Sequence, residues 1–200
     1  GSAAKIYRNL RAGSETGWDF SSRWLADPLR LSTIRTTAIA PVDLNSLMMH
    51  MEQVLAKAYA QSGDTVHARL YQTKARVLGD AIRRLMWDGK AGLFTDYLWQ
   101  TQRQSSAYSL ATVYPLYFGG ATDEQARMVA ETLKDRFLKP GGLETTLVTS
   151  GQQWDGPNGW APLEWMTIWG LDRCEQKDLA ADIAAQRVNA AFSVPSAGVT

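Results

Sequence analysis

Asp43-Leu44-Asn45-Ser46-Leu47-Met48-Met49-His50-Met51-Glu52-Gln53-Val54-Leu55-Ala56-Lys57-Ala58-Tyr59-Ala60-Gln61, followed by Ser62-Gly63-Asp64, sets the architecture. Leu44, Leu47, Met48, Met51, Val54, Leu55 and Ala58 recur at three- and four-residue steps, the period of one helix face. Asp43 or Asn45 is a candidate cap, and Gly63 suits the left-handed position that closes a helix. A second helix is predicted from about Thr65 to Met86, with Leu70, Ala75, Val77, Leu78, Ile82 and Leu85 on its apolar side. Two helices joined by so short a link pack as an antiparallel pair.

Downstream, Asp88-Gly89 and the alternation through Tyr97 predict a turn and a small hairpin over residues 87–97. A third helix is expected from Ser105 to Tyr117. A fourth is expected from Asp123 to Phe137, capped by Thr122 or Asp123 and stopped by Pro140-Gly141-Gly142. Two more follow at about 162–173 and 176–192, before Pro195 and Gly198 break the pattern. Upstream, residues 5–24 read as a loop carrying a site, and residues 27–37 as a short polar segment. The class is all-α: about six helices with one small β excursion, and too few strand signals for a parallel sheet. Segments 5–42 and 143–162 are irregular, and binding chemistry concentrates in such loops.

The chain has 200 residues, enough for one domain or a large piece of one. Its net charge of +1 gives no electrostatic reason to expect nucleic acid or an anionic membrane as partner, so a neutral ligand fits better. Cys174 is the single cysteine, and no Cys/His spacing suggests a metal, so neither metal nor cofactor is expected. His50 and His67 read as ordinary helix residues. No apolar run approaches a membrane span. Gly1-Ser2 resembles a cloning remnant.

Eight tryptophans are unusual for this length. An indole offers a flat apolar face and one N–H donor, which suits the faces and hydroxyl rim of a sugar. Trp24, Trp87, Trp165 and Trp169 are read as core. Two segments combine tryptophan with polar chemistry. In Gly17-Trp18-Asp19-Phe20-Ser21-Ser22-Arg23-Trp24 a carboxylate lies between bulky aromatics. Apolar neighbours disfavour its ionised form, as a general acid requires. Equally, Asp19 suits the cap of a helix starting at Phe20. In Gly151-Gln152-Gln153-Trp154-Asp155-Gly156-Pro157-Asn158-Gly159-Trp160-Ala161-Pro162, amides, a carboxylate and two indoles share a loop stiffened by Gly and Pro.

Gln153-Trp154-Asp155-Gly156-Pro157-Asn158-Gly159-Trp160-Ala161-Pro162 matches the trehalase family signature Gln-Trp-Asp-x-Pro-x-Gly-Trp-x-Pro. Residues 11–24, Arg35-Thr36-Thr37 and Pro41-Val42-Asp43-Leu44-Asn45 are similar to further segments of that family. The resemblance covers Tyr7 to about Asn189 and implies a partial (α/α)6 toroid of paired antiparallel helices. It also implies inverting hydrolysis of α,α-trehalose to two glucoses. By motif position Asp19 would be the general acid, with Gly17 and Trp18 against the substrate. Gln153, Trp154, Asp155, Asn158 and Trp160 would line or brace the sugar pocket, and Arg11 and Glu15 would stand at its rim. The family's Pro-Gly-Gly-Arg-Phe segment and its glutamate base are absent from residues 1–200. Residues 1–200 are therefore expected to be one piece of a catalytic domain, impaired alone and prone to self-association. The segment 142–153 resembles periplasmic rather than cytosolic members.

Overall fold

A computed structural model describes residues 2–192, so Gly1, Pro195 and Gly198 lie outside the description. In chain order it contains α1 (Ala3–Ser14), β1 (Ile39–Ala40), α2 (Val42–Gln61) and α3 (Thr65–Ala81). Then come β2 (Trp87–Asp88), β3 (Leu93–Phe94), β4 (Tyr97–Leu98), β5 (Arg103–Gln104), α4 (Tyr114–Tyr117) and α5 (Asp123–Thr132). β6 (Leu138–Lys139), β7 (Gly142–Leu143), α6 (Ala161–Arg173) and α7 (Lys177–Phe192) complete it.

The helices after Asp43 and Thr65 form where periodicity predicts them. α2 begins one residue early at Val42, with no side-chain cap from Pro41. Asp43 is diverted to another partner, and Asn45 donates back to the Pro41 carbonyl. Gly63 takes φ +83 and Asp64 caps α3 by accepting from His67 N–H. α3 and α5 each widen into a π turn, Ile82–Met86 and Leu133–Phe137, which end at the predicted residues. Thr122 and Gln125 form a reciprocal capping box on α5.

Three expectations fail. Residues 3–14 are helical rather than loop, because Ser2 caps Lys5 N–H and nothing from Ala3 to Arg11 breaks a helix. The expected helix from Ser105 to Tyr117 shrinks to a 3-10 turn, Leu110–Val113, and the single turn of α4. Ser105 N–H instead bonds Asp96 O, and Leu110 N–H bonds Thr145 O, so the chain is held extended. β structure also exceeds the one hairpin. β4 pairs antiparallel with β1 and β5 (Ile39 opposite Leu98, Tyr97 opposite Gln104), and β2–β3 and β6–β7 are hairpins.

α4 packs between α2 and α6, with α3 lying on α2 and α7 on α6. The shared core includes Trp24, Met49, Ile82, Phe94, Leu116, Phe137, Leu143, Leu171 and Ile183. Trp24 is buried and Trp87 is packed against this core. Trp165 and Trp169, read as core, are each 52% exposed, because they stand on the side of α6 that no described element covers.

Candidate active site

α1 ends by turning on Gly17, whose φ of +76 is left-handed and whose Cβ position meets nothing within 4 Å, so conformation alone favours glycine. Thr16 Oγ1 donates to Gly13 O and accepts from Trp18 N–H at 3.0 Å. That turn sends Trp18 into the core, 3% exposed, while Asp19 points outward. The Asp19 carboxylate makes no hydrogen bond or ion pair among the described residues. Asp19 caps no helix. Ser21 does so, accepting from Arg23 N–H at the start of the 3-10 turn Ser22–Trp24. Asp19 is thus exposed, not enclosed by Trp18 and Phe20 as its neighbours suggested.

The far loop meets this segment directly. Trp154 N–H donates to Phe20 O at 3.0 Å. Trp154 stacks on Trp18 at 5.1 Å between centroids and on Trp160 at 4.2 Å, nearly parallel at 6°. The indole faces expected from the sequence to meet a sugar are therefore partly occupied by one another. Asp155 is fully buried and braces the junction. Its carboxylate accepts from Ser21 Oγ at 2.8 Å, Ser22 N at 2.8 Å, Ser22 Oγ at 2.9 Å, Thr146 Oγ1 at 3.0 Å and Ser150 Oγ. Asn158 Nδ2 and Trp160 Nε1 both donate to Gln153 O, while the Gln153 and Asn158 side chains are exposed. Gly159 lies so close to the Leu143 carbonyl that a Cβ would sit 2.7 Å from it, so only glycine fits.

Beneath Trp18 lies a charge cluster that motif reading did not find. Arg23 is fully buried and bonds Asp43 and Asp96 through two contacts each, all at 2.7–2.8 Å. Its guanidinium carbon sits 4.6 Å from the Trp18 ring centre and 4.5 Å from that of Trp24, within cation–π range. Burial alone would lower its pKa. The charges of Asp43 and Asp96 and their hydrogen bonds outweigh this and hold it above the ordinary value. Trp24 Nε1 closes the unit by donating to Trp18 O at 3.0 Å. Arg23 is the fourth residue after Asp19, so a charge set among aromatics was the available signal. Asp96, 73 positions away, carried none.

Beside Trp18 and Trp24 lies a cavity of about 390 Å³, also lined by Glu15, Asp43, Leu47 and Tyr114. Burial and then the Asp43 charge push the Tyr114 phenol up to about 12, against a lowering by Arg23. Arg11 and Glu15 pair with each other at 3.0 Å on the exposed end of α1. Among the described residues no group of three or more His, Cys, Asp or Glu is placed to hold a metal. No described helix is long and apolar enough to cross a membrane.

The sequence model of the family described as Trehalase matches residues 1–197. The periplasmic trehalase of Xanthomonas oryzae pv. oryzae is 50% identical over 181 residues, covering 90% of this chain and 32% of that protein. A periplasmic trehalase of Escherichia coli is 45% identical over 182 residues, covering 91% and 32%. The chain therefore spans about a third of the length of the curated relatives it matches. Among solved structures, the neutral trehalase Nth1 from Saccharomyces cerevisiae superposes with a TM-score of 0.81 at 24% identity, covering 92% of this chain and 36% of that one. The GH63 mannosylglycerate hydrolase from Thermus thermophilus gives 0.63 at 19% identity, covering 76% and 37%. These neighbours share the (α/α)6 toroid, and the fold of this chain is part of one.

Proposed function

The chain belongs to the trehalase family, and from that premise we propose that it carries the acid half of a trehalose-hydrolysing centre. Asp19, protonated, gives its proton to the bridging oxygen as the α,α-1,1 bond breaks. Water attacks the anomeric carbon from the opposite face and passes a proton to a second carboxylate, releasing two glucoses with inversion. Inverting pairs stand roughly 6.5–9.5 Å apart, leaving room for that water. The family resemblance assigns the second carboxylate outside residues 1–200, so this chain alone turns over slowly. No metal or cofactor enters the scheme.

One observation carries the reading. The main-chain bond from Trp154 N–H to Phe20 O joins the two motif loops immediately beside Asp19. The Asp19 carboxylate is exposed and makes no hydrogen bond or ion pair among the described residues, so it is free to meet a ligand; the acid role itself comes from its position in the family motif. In this reading Gly17, Trp18, Gln153, Trp154, Asn158 and Trp160 form one wall, Asp155 braces it from behind, and Arg11 and Glu15 stand at the rim. Residues 1–200 are one piece of the catalytic domain. The periplasm is the proposed compartment, after the relatives that carry that word in their names.

Glucose release from trehalose is the test, run on this chain and on the chain reconstituted with the rest of a trehalase. Asp19→Asn should lower the reconstituted rate by about 10²–10⁴-fold. An unchanged rate removes Asp19 from the acid role. Calorimetric binding of trehalose without turnover in any form would instead make this a non-catalytic sugar-binding piece.

A further inference from the structure

Asp19 does nothing to hold itself in place. Among the described residues neither its carboxylate nor its main-chain N–H and C=O makes a hydrogen bond. Its neighbours are fixed on both sides. Trp154 N–H holds the Phe20 carbonyl at 3.0 Å. At Trp18 both main-chain groups are taken by side chains. Thr16 Oγ1 accepts from the Trp18 N–H at 3.0 Å, and Trp24 Nε1 donates to the Trp18 carbonyl at 3.0 Å. That carbonyl shares a planar peptide group with the Asp19 nitrogen, so a donor on its oxygen sets the plane from which the Asp19 side chain springs. Both holders are anchored in turn. The Thr16 hydroxyl donates to Gly13 O at 2.6 Å, in the last turn of α1. Trp24 is 1% exposed, and its main chain bonds Ser21 O at 3.2 Å and Arg35 N at 2.8 Å. The Arg23 guanidinium, pinned by Asp43 and Asp96, lies 4.5 Å from its ring centre. A buried indole N–H needs some acceptor. This one takes the carbonyl next to Asp19, from a ring with little freedom to follow a partner that moves.

We propose that Thr16 and Trp24 are positioning residues for the Asp19 acid. Together they clamp the two main-chain groups of Trp18, and so fix where the Asp19 carboxyl stands against the sugar. They act through Trp18 and not on the substrate. Arg23 belongs to the same device, because it holds the Trp24 ring whose N–H makes the bond. The inference rests on the reading of Asp19 as proton donor. Proton transfer to a bridging oxygen requires a closely placed acid. Donors aimed straight at a carboxylate would occupy its oxygens and favour the ionised form, which has no proton to give. Placing the hold one residue away avoids both costs and leaves the two Asp19 oxygens open.

Glucose release from trehalose by the chain reconstituted with the rest of a trehalase tests this through a double-mutant cycle. Thr16→Val keeps the shape of the side chain and removes the hydroxyl. Trp24→Phe keeps a ring beside Arg23 and removes the indole N–H. Each should lower kcat by about 10–100-fold and leave KM within about twofold, because a misplaced acid weakens the transition state and not substrate binding. With Asp19→Asn already present, the same substitutions should cost less than about twofold, since no acid remains to be placed. A loss by the same factor in both backgrounds would make Thr16 and Trp24 parts of the scaffold only. A raised KM at unchanged kcat would put them on the sugar. Either result overturns the proposal. So does full activity in Thr16→Val, which lies half-buried on a turn and carries the test should Trp24→Phe fail to fold. If the reconstituted enzyme cleaves no trehalose, or Asp19→Asn costs it nothing, the acid reading fails first and takes the positioning with it. A costly Asp19→Asn beside an inert Thr16→Val removes the positioning alone.

Discussion

The junction of the two motif loops and the stripe on α2 are both rich in large apolar side chains, yet they end differently. At the junction Arg23, Asp43, Asp96 and Asp155 are buried, and each is matched within this chain. Along the stripe five apolar residues, Leu44, Leu47, Met48, Met51 and Val54, stand about half exposed, at 41–53%. Apolar period says only that a face is to be buried; buried charge says which segment must meet which, because an unmatched one is costly. Arg23→Met attacks that distinction at its strongest point. It strands two carboxylates under Trp18, and removing one partner of a buried pair costs about 3–5 kcal/mol. The chain should lose that much in urea unfolding, and a loss below 1 kcal/mol would mean that Asp43 and Asp96 are not held as drawn.

Asp155→Ala is the next largest. It leaves Ser21, Ser22, Thr146 and Ser150 without their common acceptor. A cost of about 3 kcal/mol is expected, at the upper end for buried donors losing a partner. Near-UV circular dichroism should change with it, since the Trp18–Trp154 stack depends on the same junction. Stability loss with an unchanged tryptophan spectrum would separate the brace from the stack.

What was readable in the sequence divides along the same line. Helix positions from α2 onward followed from three- and four-residue spacing and from Gly63 and Thr122, all of them local signals. α1 was missed although its signals, the Ser2 cap and a run without breakers, are local; the other failures had non-local causes. Residues Ser105–Ser109 have helix-compatible composition but are captured by Asp96 and Thr145. Trp165 and Trp169 are as apolar as any core residue, and nothing near them in sequence says that their side of α6 is left open. In the candidate site, both loops were legible because their residue types are rare and clustered. The Arg23–Asp43–Asp96 unit was not, because its members are separated by 20 and 73 positions.

A gentler probe is pH. Glu164 on α6 is 1% exposed, accepts from Leu143 N–H at 2.9 Å and lies 2.9 Å from Arg187 Nε. That ion pair lacks hydrogen-bond geometry, and its Oε2 is otherwise unpartnered. Burial raises its pKa above the ordinary 4.5, more than the Leu143 amide and Arg187 lower it. An acid raised in the fold binds its proton more tightly folded than unfolded. Its contribution is complete below 4.5 and is lost as pH rises through the folded value. Glu164→Gln should therefore flatten the fall in urea midpoint as pH is raised from 4. An identical slope would show that another group sets it.

Leu47→Ala should produce the smallest effect, and it bears most directly on the comparison. A buried leucine such as Leu116, with no exposure on α4, costs about 2–5 kcal/mol when cut to alanine, because a cavity replaces packed atoms. Leu47 is 45% exposed and has solvent on the side that its period predicts as core, so truncation leaves little cavity. Alanine also has slightly better helix propensity than leucine. The expected change in unfolding free energy is below about 1 kcal/mol. A loss comparable to that at Leu116 would mean that the stripe is already covered in solution, by a second copy of this chain. The stability would then depend on protein concentration, as it must when folding and association are coupled.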